Sequence, residues 1–124
     1  MFRRLRNVLK KNSNRILNKE DITMEELNLK LKKGVLLIDV RSPQEYIEGH
    51  IDGSISIPEY EILKKINKYV LNKNDEIIVC CQSGYRSKKA QKELQKRGYT
   101  NVFNLYNGFE NYWDFFNNML KCAI

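Results

Sequence analysis

The sequence predicts an α/β fold built on a mostly parallel sheet, and three observations carry that prediction. Residues 35–40 and 76–80 are short, nearly continuous apolar runs, as strands covered on both faces require. Segments with apolar residues at helical spacing separate these runs, and alternating strands and helices lead to a parallel sheet. The chain has 124 residues, the length of one domain.

Taken in order, the first helix is expected over residues 23–33. Met24, Leu27 and Leu31 share one face, acids come early and lysines late. Thr23 with Glu26 makes a capping box, and Gly34 stops the helix. The strand over 35–40 follows. Ser42 then caps a short helix with Pro43 at its first position and Glu45 closing a second capping box. That helix ends near Gly49.

Residues 54–57 form a short strand ended by Pro58. Residues 59–70 read as one helix with Ile62, Leu63, Ile66 and Tyr69 or Val70 inward. The strand over 76–80 leads to a helix that starts at Arg86 or Ser87 and runs to Arg97, with Ala90 and Leu94 inward and Gly98 as its stop. Residues 102–105 form a last strand, and an aromatic-rich helix covers 108–120. Its aromatics recur at spacings that bury one face, so core packing is the expectation.

Charge divides the chain. Residues 1–19 hold seven of the 22 basic residues and no acid, and the remaining 15 basic residues balance 15 acidic ones. The net charge of +7 therefore belongs to a leader, with the domain at 20–124, and it gives no ground for nucleic-acid binding by the core. A solvated leader is the plain reading. Phe2, Leu5, Val8 and Leu9 at helical spacing offer another, an amphipathic helix on an anionic membrane surface or partner. No apolar run is long enough to span a bilayer. Three cysteines, two of them adjacent, do not make a disulfide framework. A reducing, cytoplasmic setting follows.

The chemistry lies at the end of the run Ile77-Ile78-Val79-Cys80-Cys81. In parallel sheets ligands bind beyond the carboxyl ends of strands. Cys81 sits there, directly before a helix. A thiol near a helix N-terminus or a cation ionises more readily, and the thiolate is the nucleophile. The amides of Gln82, Ser83, Gly84, Tyr85, Arg86 and Ser87 are able to turn inward around the sulfur, and Gly84 permits the twist. Arg86 adds a forked cationic donor for an anionic substrate. The alternative is a buried, inert cysteine at a strand end, the common state of free cysteine. Alternation sends Cys80 to the opposite face, into the core.

The residues resemble a known family. Leu37-Ile38-Asp39-Val40-Arg41, Glu45-Tyr46, Gly49-His50-Ile51, Gly53 and Ile57-Pro58 resemble the first half of a rhodanese domain. Cys81-Gln82-Ser83-Gly84-Tyr85-Arg86-Ser87, then Ala90, Leu94, Gly98-Tyr99 and Val102, resemble its second half. The resemblance spans about residues 20–118. It implies the three-layer rhodanese-like fold, a mostly parallel five-stranded sheet with helices on both faces. It also implies a persulfide-forming Cys81, a small sulfur donor such as thiosulfate or polysulfide, a thiol or cyanide acceptor, and no cofactor. The acceptor thiol could belong to a protein. Asp39 and Arg41 resemble residues that brace the active-site loop, and an ion pair holding the loops is their plain reading.

Cys81 to Arg86 inclusive is six residues. Related dual-specificity phosphatases use a loop one residue longer, so the shorter loop favours attack on a sulfur donor over phosphatase or arsenate reductase chemistry. A sulfur-carrier or docking module is the other rival. Three departures stand out: Cys80 before the nucleophile, Asn107-Gly108 in place of a glycine pair, and Tyr112 where tryptophan is common. With no second histidine and no cysteine spacing of metal-site type, no zinc site is expected, and the lone His50 is expected to bond Glu48 or Asp52. Lys88, Lys89 and Lys92 are either solvated or a source of positive potential near the loop. Cys122 reads as an incidental thiol.

Overall fold

The computed structural model describes residues 20–123, with side chains described through Leu120. The basic leader at 1–19 and the Cys122 thiol lie outside the described residues.

Five strands form one sheet: β1 (Asp21–Ile22), β2 (Leu36–Asp39), β3 (Ile55–Ser56), β4 (Glu76–Cys80) and β5 (Asn101–Leu105). Their order is β1-β5-β4-β2-β3, and every pairing is parallel. The α-helices are α1 (Met24–Lys32), α2 (Pro43–Glu48), α3 (Ile62–Lys65), α4 (Tyr85–Lys96) and α5 (Gly108–Ala123). The predicted α/β architecture is present, with an entirely parallel sheet.

Two apolar layers sandwich the sheet. Ile38, Val40, Ile77, Val79 and Cys81 pack with Ile62 and Ile66 on one side, and with Ala90 and Leu94 of α4. Leu37, Ile78 and Cys80 pack on the other with Met24 and Leu27 of α1, against Phe109, Tyr112 and Phe115 of α5. The run Ile77-Ile78-Val79 is fully buried because both faces of a central parallel strand are covered. Truncating one such side chain costs about 2–5 kcal/mol.

Both capping boxes form. Thr23 and Glu26 close α1, and Ser42 and Glu45 close α2 with Pro43 in its first turn. Three expectations change. Residues 59–70 do not make one helix: 3-10 turns at Glu59–Glu61 and Ile66–Lys68 flank the single α-turn of α3. The apolar residues Ile62, Ile66 and Val70 still reach the core, so burial is met without regular α hydrogen bonding. The helix after Cys81 starts at Tyr85, because Gly84 takes a left-handed φ of 104° and serves as its N-cap. The two-residue β1 was not expected at all. It exists only through pairing with Asn104 and Leu105 of β5.

The topology places the ends of β4 and β2 side by side, with Asp39 in register with Cys80. The loops leaving these two neighbouring strands therefore meet at the carboxyl edge of the sheet.

Candidate active site

Cys81 is the first residue after β4 and is 1% exposed. Three donors converge on its sulfur. The Gly84 amide lies at 3.1 Å, the Ser87 amide at 3.4 Å and the Ser87 hydroxyl at 3.3 Å. The left-handed Gly84 folds the loop back over the sulfur, a conformation that a side chain resists. Ser87 is in the first turn of α4, where amides lack intrahelical acceptors, and its side chain is wholly buried. Such a set of donors, with a helix dipole behind it, stabilises negative charge on sulfur.

Of the amides from Gln82 to Ser87, those of Gly84 and Ser87 donate to the sulfur. Tyr85 projects into solvent and Ser83 is exposed. Gln82 turns toward Arg41, with its Oε1 3.5 Å from Nη1.

Arg86 differs from expectation. Its two terminal nitrogens donate to the carboxylate of Glu45, at 2.6 and 2.9 Å. The hydrogen bond from Arg86 holds the Glu45 carboxyl well below its ordinary value, at about 2, and Glu45 in turn raises Arg86. The guanidinium is thus tied to α2. Sequence reasoning saw Glu45 only as a helix cap, because nothing local marks a partner 41 residues away.

Asp39 and Arg41 form a buried pair. Arg41 donates to Asp39 through its backbone amide, Nε and Nη2, with the shortest contact at 2.7 Å. Its Nη2 also donates to the Gly49 carbonyl at 2.6 Å, and its guanidinium stacks 4.4 Å from the Phe109 ring. Arg41 thereby joins the end of β2, the turn after α2, the cysteine loop and the start of α5.

The start of α5 is bonded to the cysteine itself. Phe109 donates its amide to the Cys81 carbonyl at 2.7 Å, and Glu110 to the Gln82 carbonyl at 3.1 Å. Asn107-Gly108 allows this approach. Both residues are left-handed, and a Cβ on Gly108 would stand 2.1 Å from the Cys81 oxygen.

Cys80 points into the opposite apolar layer, and burial pushes its thiol well above the ordinary range, with Asp39 adding to the effect. It stays protonated. His50 stacks on Tyr46, and its Nδ1 lies 2.7 Å from the Tyr46 carbonyl oxygen, so neither Glu48 nor Asp52 is its partner. Lys88 and Lys89 are paired, with Asp21 and Glu59. Among the described residues no cluster of His, Cys, Asp and Glu is placed to hold a metal ion, and no helix is long and apolar enough to cross a membrane.

Beside the loop lies an open cavity of about 660 Å³, whose lining includes Arg41, Glu45, Gln82, Phe109 and Trp113. Cys81 does not line it. The cavity adjoins the loop through Gln82.

Residues 23–114 match the family model described as the rhodanese-like domain. The chain is 35% identical over 94 residues to YrkF of Bacillus subtilis, by name a candidate sulfur carrier protein, across 74% of this chain and 50% of that one. It is 42% identical over 67 residues to the thiosulfate sulfurtransferase PspE of Escherichia coli, across 54% of this chain and 64% of that one. It thus spans half to two thirds of these relatives' lengths. The fold is similar to that of a human single-domain sulfurtransferase, at 24% identity and a TM-score of 0.70, covering 78% of this chain and 97% of the other.

Proposed function

This chain belongs to the rhodanese-like domain family, and on that premise we propose that it is a sulfurtransferase working through a persulfide on Cys81. The donor is a sulfane-sulfur compound such as thiosulfate or a polysulfide, and the acceptor is a thiol or cyanide. One observation carries the reading: the sulfur of Cys81 receives three donors at the N-terminus of α4.

The chemistry follows from that geometry. The Cys81 thiolate attacks the outer sulfur of thiosulfate. A sulfur–sulfur bond forms to Cys81, the donor's sulfur–sulfur bond breaks, and sulfite leaves with the electron pair. The acceptor then attacks the outer sulfur of the persulfide. With cyanide the products are thiocyanate and the free thiolate. The Gly84 and Ser87 donors hold Cys81 as the attacking thiolate in the first step and receive it as the leaving thiolate in the second. The amides of Tyr85 and Arg86, in the first turn of α4, lack intrahelical acceptors and suit the outer sulfur. Asp39 and Arg41 position the loop. A reducing cytoplasm suits a reaction that starts from a free thiol.

The similarity to YrkF favours a second reading, a sulfur carrier that hands its persulfide to a partner protein. The two readings share Cys81 and part at turnover. Intact-mass measurement after thiosulfate or polysulfide treatment tests the first step. The native chain should gain one sulfur atom and lose it to cyanide, and Cys81→Ser should gain none. Loading without turnover on any small acceptor selects the carrier. Loading of the Cys81→Ser chain overturns both.

A further inference from the structure

The left-handed turn at Gly84 faces a buried polar cluster at the β1 edge of the sheet. A Cβ built on Gly84 would stand 3.8 Å from Asn104 Nδ2, and equally far from the Asn107 amide nitrogen. Asn104 is buried in β5. Alternation puts it on the same face as Val102, which packs with Ala90 and Leu94 of α4.

The contacts around Asn104 close a ring. Its Nδ2 lies 3.4 Å from Oδ1 of Asp21, its register partner in β1. The same Oδ1 accepts from Lys88 Nζ at 2.9 Å. Lys88 in turn donates its backbone amide to the Gly84 carbonyl at 3.1 Å. Gly84 thus meets the sheet twice, through Asn104 directly and through Lys88 and Asp21.

As mere packing this ring is costly. The Asp21 side chain is wholly buried, and a buried ion pair is often no better for stability than apolar groups of the same size. Asn104 Oδ1 is buried with no hydrogen-bond partner among the described residues, at a cost of about 1–3 kcal/mol. A branched apolar residue would fill the place without that cost. Polar groups that a core does not need gather where a protein fixes a functional geometry.

The geometry fixed here is the Gly84 turn. Its amide reaches the Cys81 sulfur at 3.1 Å, the shortest of the three donor contacts. Glycine has no side chain to wedge the turn in place, so its neighbours must hold it. A small shift matters, because hydrogen bonds weaken steeply with misalignment. The Asp21–Lys88 pair is neutral as a whole, so the cluster acts by position and not by charge.

We infer that Asn104 is a positioning residue for sulfur transfer: held by Asp21, it fixes the Gly84 turn and so aims the Gly84 amide at the Cys81 sulfur. This rests on the persulfide reading of Cys81.

The test is single-turnover loading of the full chain by thiosulfate and by polysulfide, followed by intact mass across donor concentrations. Native protein is compared with Asn104→Leu, which keeps the branched shape and removes the amide. Asn104→Ala takes its place if that variant does not fold. The maximal loading rate should fall about fivefold or more, while the half-saturating donor concentration stays within about twofold. A residue that only braces the sheet leaves the maximal rate of the folded chain unchanged, and that result overturns the inference. So does a change confined to the half-saturating concentration.

Hydrogen exchange reads the same amide without any sulfur chemistry. The Gly84 amide should exchange about fivefold or more faster in the variant, with the later amides of α4 unchanged. Equal exchange at Gly84 overturns the positioning role. If neither donor loads the native chain, the persulfide reading fails, and exchange at Gly84 still decides whether Asn104 holds the turn.

Discussion

The carboxylate of Glu45 accepts from both terminal nitrogens of Arg86 and, through Oε1, from the amide and hydroxyl of Ser42. One side chain thus caps α2 and fastens the cysteine loop to it.

That double role predicts a pH signature. Glu45 titrates at about 2 in the fold against an ordinary 4.5, because Arg86 bonds its charged form. A lowered folded value gives stability that is complete above about 4.5 and fades as pH falls toward 2. Glutamine still serves at this capping position. Glu45→Gln should therefore cost about 0.5–1 kcal/mol at neutral pH, the pair being partly exposed. The gap between the two urea midpoints should close on acidification through that window. A gap independent of pH would show that the pair contributes no charge-dependent stability.

The buried pair at the end of β2 should matter more. Arg41 is 3% exposed and donates three ways to Asp39. Asp39→Asn leaves the guanidinium buried without its counter-charge and should cost about 3 kcal/mol. Denaturant unfolding measures this, and a loss below about 1 kcal/mol would place the pair in effective contact with water.

Ser87→Ala removes one of three donors to sulfur while keeping the Ser87 amide. Persulfide formation should slow by about tenfold, a modest value for a donor to a charged centre. The melting temperature should change little. An unchanged loading rate would mean that the hydroxyl does not act on the reacting sulfur.

Gly108→Ala should be severe. The added methyl would meet the Cys81 carbonyl oxygen at 2.1 Å, at a left-handed φ of 57°. A loss above about 3 kcal/mol is expected, with α5 displaced from the loop. Asn107→Gly, at φ 58°, should be tolerated. Thermal melts of the two variants separate a packing clash from a general intolerance of the turn.

What the sequence revealed is what local physics controls. Thr23 with Glu26 and Ser42 with Glu45 are capping boxes readable three residues apart, and both form. The strand at Glu76–Cys80 was legible to the residue, because a central parallel strand needs an unbroken apolar run. Cys81, Gly84 and Ser87 were legible as one loop. Which of its amides donate to the Cys81 sulfur was not, since that depends on the one turn Gly84 adopts.

The composition and order of residues by themselves determined the alternation of elements, the burial of the strand at 76–80 and of Ala90 and Leu94, and the position of Cys81 at a strand's end. Tertiary structure alone decided the rest. The strand at Asp21–Ile22 has too few residues for any pattern and exists through its hydrogen bonds to β5. Arg86 was read as facing an anion and instead faces Glu45, 41 residues earlier. The cavity beside the loop collects side chains from α2 and α5, which only the order of the sheet brings together. The physical reason is range. Caps, turns and periodicity act over a few residues of chain, whereas ion pairs and cavities act through space between segments that the fold alone makes neighbours.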